Sequence, residues 1–143
     1  MVNKYQGTKN STVLIPSDPQ KAALVDQFIS VQHSYYDEGL QKLVVQEVFV
    51  KMFGKSPDPE IIKESLEELD KVLEVYEKIL EDKEYIAGEF SLADILHCPN
   101  THYAIATGHN FWNDPKRPNV ARWWKNISER EAWKKLSSEI RFE

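Results

Sequence analysis

The chain has a single cysteine, Cys98, in 143 residues. That excludes an intramolecular disulfide and any zinc site built on several cysteines, and it fits a reducing compartment. A positive balance is also missing. With 23 acidic against 18 basic residues the net charge is −5, so the field that gathers phosphates is absent and nucleic acid is not expected as a partner. No apolar run approaches bilayer-spanning length, and MVNKYQGTKNSTVLIPSD at the N-terminus carries neither a secretory core nor a small-residue cleavage signature. No membrane association is expected and a cytoplasmic location is the default, although a chain that had already lost a signal would read the same. Asn10-Ser11-Thr12 and Asn126-Ile127-Ser128 match the glycosylation pattern, which without a secretory signal reads as chance. Internal repeats, low-complexity blocks and strand-like alternation are lacking too.

What is present is an ordinary globular composition, 41% hydrophobic and 29% charged, in a chain long enough for one core. Residues 1–16 read as a linker-like segment and residues 17–143 as one helical domain. Ser17-Asp18-Pro19-Gln20 is an S-x-x-Q capping box, and it precedes Ala22, Leu24, Phe28, Val31 and Tyr35 at helical spacing. A bend is expected near Glu38-Gly39, before Leu40, Leu43, Val44, Val48 and Met52 resume the pattern. From Asp58 the stripe Ile62, Leu66, Leu69, Leu73, Tyr76, Leu80 predicts the clearest helix, with Glu67–Lys71 and Glu74–Lys78 as i,i+4 pairs on its solvated face.

A third helix opens at EFSLADI. Ser91 as N-cap and Asp94 at N3 form a capping box, with Phe90 and Ile95 as the hydrophobic staple around it. Pro99 lies within this helix and predicts a kink; Gly108 marks its end. RPNVARWWKNI and SEREAWKKL follow as two short helices, the second opened by an S-x-x-E box from Ser128 to Glu131. The expected fold class is all-α, a bundle of about five helices.

The run ELDKVLEVYEKILEDKEYIAGEFSLADILHCPNTHY, followed by RPNVARWWKNISEREAWKKL, resembles the C-terminal helical domain of glutathione transferases, most of all the phi class of plants with its fungal relatives. The resemblance extends from LIPSDPQKAALVDQFI through nearly the whole chain. It implies a structural role for Ser91 and Asp94, and local physics agrees, because losing such a cap costs about 0.5–2 kcal/mol. In that family a thioredoxin-like domain comes first and carries the glutathione site and the thiol-activating residue. NKYQGT resembles only the end of that domain and the interdomain linker, so a stand-alone domain lacking it is expected, and no residue is assigned as catalytic.

Chemistry sought directly in the residues is sparse. His97 and His102 are five apart, about 140° round a helix, and do not chelate together, so no metal is expected. Cys98 has no neighbouring cation to activate it and reads as a buried, inert thiol. The resemblance places HSYYDEGL, residues 33–40, on the bent first helix beside the hydrophobic cosubstrate. His33, Tyr36 and Asp37 are therefore candidate ligand contacts, together with His102 and Tyr103. Trp112, in the loop GHNFWNDPK, is a further candidate where its ring is exposed, with local packing the favoured alternative, while Trp123 and Trp133 match family tryptophans that hold the last helices to the core. No cofactor is expected, and glutathione could bind only weakly without its usual domain. Three functions follow: a non-catalytic ligand-binding module in a remnant cleft, a protein–protein scaffold like the related domains of translation complexes, or a fragment of a two-domain transferase. A homodimer is the expected assembly, with a small-molecule or sugar ligand and a protein partner as further possibilities.

Overall fold

Helices form wherever a local stop signal ends one apolar stripe and a cap begins the next, and the computed structural model, which describes residues 12–140, follows that punctuation closely. Among the described residues the helical stretches are 19–52, 59–79, 92–106 with one interruption, 118–128 and 131–139. The fold is the all-α bundle of about five helices, and the only extended pairing described is a single bridge between Tyr85 and Gly88. Residues 1–11 of the linker-like segment lie outside the described residues.

The first stretch contains α1 (Pro19–Val31), a π-helical turn (Gln32–Tyr36), α2 (Asp37–Val44) and a second π-helical turn (Val45–Val50). Its cap corrects the sequence reading by one residue: Asp18, not Ser17, is the N-cap, and its carboxylate accepts from Lys21 N at 2.9 Å with Pro19 in the first turn. Gly39 does not interrupt the helix. It sits inside α2, where a Cβ would lie 3.3 Å from Glu68 Cβ and 3.4 Å from the Ser65 carbonyl, so its missing side chain lets α2 lie close on the neighbouring helix. The two π turns, one on each side of α2, are the irregularities the glycine was expected to supply.

That neighbour is α3 (Pro59–Ile79), capped by Asp58, which accepts from Glu60 N at 2.9 Å. Its stripe is buried as the spacing predicts: Leu69, Leu73, Tyr76 and Leu80 are at most 1% exposed. On the outer face Glu67 lies 3.8 Å from Lys63, one turn before it, rather than from Lys71, one turn after.

The EFSLADI corner forms α4 (Leu92–Ile95), and α5 (Cys98–Ala106) follows it. Pro99 breaks the helix rather than kinking it, because it occupies the first turn of a new helix where no N–H is needed. Gly108, at φ +98°, terminates α5 as expected. Then come a 3₁₀ turn (Phe111–Asn113), α6 (Pro118–Ser128) and α7 (Glu131–Glu139). Ser128 is the last residue of α6 and the cap of α7 is Arg130, so the second S-x-x-E box is not used.

α3 and α6 cap each other. Glu77 accepts from the Asn119 and Val120 amides at 3.1 and 2.9 Å, satisfying the first turn of α6. In return Arg122 donates to the Leu80 and Lys83 carbonyls at 2.6 and 2.9 Å, at the end of α3. Arg117, with its side chain 7% exposed, adds ion pairs to Asp70 at 2.6 Å and Asp114 at 3.3 Å.

Candidate functional site

The corner at α4 is where chemistry-bearing side chains converge. The capping box is formed. Asp94 accepts from Ser91 N at 2.9 Å, from Ile86 N at 3.0 Å and from the Trp123 indole at 2.9 Å, and Ser91 Oγ lies 3.4 Å from it. Burial raises its carboxyl above the ordinary value, and the donors from Trp123, Ile86 and Ser91 pull the other way. Phe90 beside it packs edge-on to Tyr85, with the Arg130 guanidinium 3.6 Å over its ring. Ile95 ends the short helix, half-buried.

His97, one turn on, is fully buried. Its Nδ1 lies 2.8 Å from the Ala93 carbonyl, which can only accept, so the proton sits there and Nε2 accepts from the Tyr76 hydroxyl at 3.0 Å. Burial lowers its pKa from 6.5 to about 4, so it stays neutral. Thr101 donates to the His97 carbonyl at 2.6 Å, which uses its only proton. Tyr36 must therefore donate to Thr101 Oγ1 at 2.5 Å, and the Trp112 indole donates to the Tyr36 oxygen at 2.7 Å. Each hydroxyl gives once, and the chain runs one way from Trp112 to the backbone. Burial holds the Tyr36 phenol well above its usual range and pushes the Cys98 thiol up to about 12. Nothing here is poised to move a proton or to attack; the network fixes the interior.

The candidates from the sequence are thereby separated. Tyr36 and Trp112 are both 0% exposed, so of the two readings of Trp112 local packing is the one the structure takes: the 3₁₀ turn directs its indole inward, 6.1 Å from Trp124. Asp37 accepts from Asn100 Nδ2 at 2.5 Å across the seam between the first helix and α5. His33, exposed, precedes Asp37 by one turn, and Tyr103, half-buried, follows Asn100 by one turn. Asp37 and Asn100 are the pair that meets across that seam. His102 lies on another side of α5, edge-on to Trp133 with centroids 5.8 Å apart, and burial lowers its pKa. The sequence reading missed Thr101, Tyr76 and Asn100 as partners; Thr101, four residues after His97 on one helix, was the available signal. No group of three metal-ligating side chains occurs among the described residues, and none of their helices is long and apolar enough to cross a membrane.

Residues 40–131 match the family described as glutathione S-transferase, C-terminal domain. Glutathione S-transferase F13 of Arabidopsis thaliana is 38% identical over 122 residues, covering 84% of this chain and 55% of that protein. The crystal structure of glutathione transferase F7 from Populus trichocarpa superimposes with a TM-score of 0.85 at 32% identity, covering 99% of this chain and 66% of that one. A maize glutathione S-transferase I, solved in complex with an atrazine glutathione conjugate, gives a TM-score of 0.81 at 34% identity over 94% of this chain and 64% of that one. The chain thus spans little more than half of the first of these relatives and about two thirds of the other two.

Proposed function

Because this chain belongs to the glutathione S-transferase C-terminal domain family, we propose that it is the helical, ligand-holding part of a glutathione-transferase-like protein, binding apolar small molecules along the seam between the first helix and α5 without itself activating a thiol. The observation that carries this reading is the separation just described. The titratable groups of the interior, Asp94, His97, Tyr36, Tyr76 and Cys98, are buried and engaged by neighbouring side chains or backbone, whereas Asp37 and Asn100 meet half-buried across the seam and His33, one turn before Asp37, is exposed; with Tyr103 these are the residues this reading assigns to the ligand. A surface of imidazole, carboxamide and aromatic ring suits an apolar molecule with a few polar atoms. The conjugate bound by the maize relative supplies the first ligand chemistry to try. Residues 17–143 act as the binding domain and residues 1–16 as its linker, in a cytosolic homodimer.

A second reading is favoured by one observation, the fraction of each relative that the chain spans: it supplies the cosubstrate side of a two-domain transferase. One experiment addresses both. The purified chain is titrated with 1-anilinonaphthalene-8-sulfonate and with S-hexylglutathione as competitor, while turnover of glutathione with chlorodinitrobenzene is followed in parallel. Saturable binding, weakened about fivefold by Tyr103→Ala, with turnover at the uncatalysed rate, is the expected result. Absence of saturable binding would overturn the ligand-holding role, and turnover that disappears on unfolding would overturn the claim that this chain activates no thiol.

A further inference from the structure

The contact between Asp37 and Asn100 fixes more than the approach of two helices. A carboxylate can only accept, so the Asn100 carboxamide must turn its Nδ2 toward Asp37 Oδ1, 2.5 Å away, and its own Oδ1 faces away from that bond. Two acceptors are left over. Among the described residues neither Asp37 Oδ2 nor Asn100 Oδ1 receives a hydrogen bond, and both side chains are half-buried, so a ligand can still reach them.

The carboxylate also stands without a counter-charge: among the described residues no ion pair involves Asp37. The next lysine along the helix, Lys42, is taken by Glu38 at 3.6 Å and Glu68 at 3.2 Å. On α5 the neighbouring His97 is buried and neutral with both ring nitrogens engaged, and Thr101 gives its proton to the His97 carbonyl. His33, one turn before Asp37, is exposed. A half-buried charge without a partner is a favourable place for an opposite charge, because the surrounding protein weakens its hydration and strengthens the attraction.

We propose that this end of the seam selects its ligand by charge, taking a protonated amine that carries an aryl or alkyl group, with the ammonium between Asp37 Oδ2 and Asn100 Oδ1. The inference rests on the ligand-holding role proposed above and names the class of molecule held. An ammonium has donors and no acceptor, so it serves both oxygens at once. An alcohol serves one, and a carboxylate serves neither and is repelled by Asp37. The apolar part of the molecule runs toward Tyr103, one turn on from Asn100, whose ring packs 6.3 Å from that of the 41% exposed Phe49.

Three probes of one shape test this: 1-naphthylmethylamine, 1-naphthalenemethanol and 1-naphthoate, titrated into the whole chain at pH 7 by calorimetry, with the side-chain amide resonances of Asn100 locating the site. The amine is expected to bind about tenfold more tightly than the alcohol and to shift the Asn100 signals, and the carboxylate to bind more weakly than either. Asp37→Asn keeps the shape and an acceptor for Asn100 Nδ2, and should bring the amine to within about twofold of the alcohol. Glu38→Gln, which removes a carboxylate already paired with Lys42, should leave the preference in place. Equal binding of amine and alcohol, or a preference that survives Asp37→Asn or disappears in Glu38→Gln, would overturn the charge selection and leave the ligand-holding role standing. Failure of all three probes to bind would overturn both.

Discussion

The α4 corner and the far end of the first helix are built from opposite residue types and end in opposite states. At the corner a histidine, an aspartate, two tyrosines and two tryptophans are buried, and each polar atom traced there has its partner. At the far end Phe53 is 77% exposed, Met52 61% and Phe49 41%. Polar content therefore does not decide which side chains this molecule buries. Satisfaction does: a buried polar group whose protons are all committed specifies structure, and an uncommitted one is free to respond.

Three substitutions or conditions sharpen that contrast, in decreasing size. Asp94→Ala strands the Ile86 and Ser91 amides and the Trp123 indole at once and should lower stability by about 4 kcal/mol in urea unfolding; a loss under 1 kcal/mol would show that the corner is not structural. Acidification tests His97. The unfolded chain takes up a proton below about pH 6.5 that the fold refuses until about pH 4, so stability is complete above that window and falls as pH drops through it, by roughly 3 kcal/mol. Urea midpoints from pH 7.5 to 4.5 would read the slope, which His97→Gln should flatten. At the other end Phe53→Ser should change stability by no more than about 0.5 kcal/mol, because the ring is already in water. A loss comparable to that of Asp94→Ala would erase the distinction between the two regions.

The parts legible in the sequence are those decided within a turn or two of helix. Ser91 and Asp94 are three residues apart, and the stripe from Ile62 to Leu80 repeats on one face, so both were readable. Pro99 was read as a kink because a proline inside a continuing apolar pattern looks like an interruption; only the tertiary path shows that a second helix begins there. Gly39 reads locally as a bend, whereas the close approach of Ser65 and Glu68 that it permits lies on another helix. The site was less legible for the same reason. Tyr36 was identified as a candidate, but its bonds to Thr101 and Trp112 span 65 and 76 residues, and no local pattern announces them. Burial of the Trp112 ring follows from those bonds and not from the polar loop around it.

The one-way chain of hydroxyls also bears on the order in which the molecule assembles. The bond from Ile86 to Asp94 closes over 8 residues, and that from Trp112 to Tyr36 over 76. For a flexible chain the longer closure costs about 2 kcal/mol more in entropy. The α4 corner can therefore take shape while most of the chain is still searching, and the indole bond belongs to the last contacts won, made affordable only by the helices that precede it. The same tryptophan is thus a late witness of folding, and its spectrum would register completion of the bundle rather than its beginning.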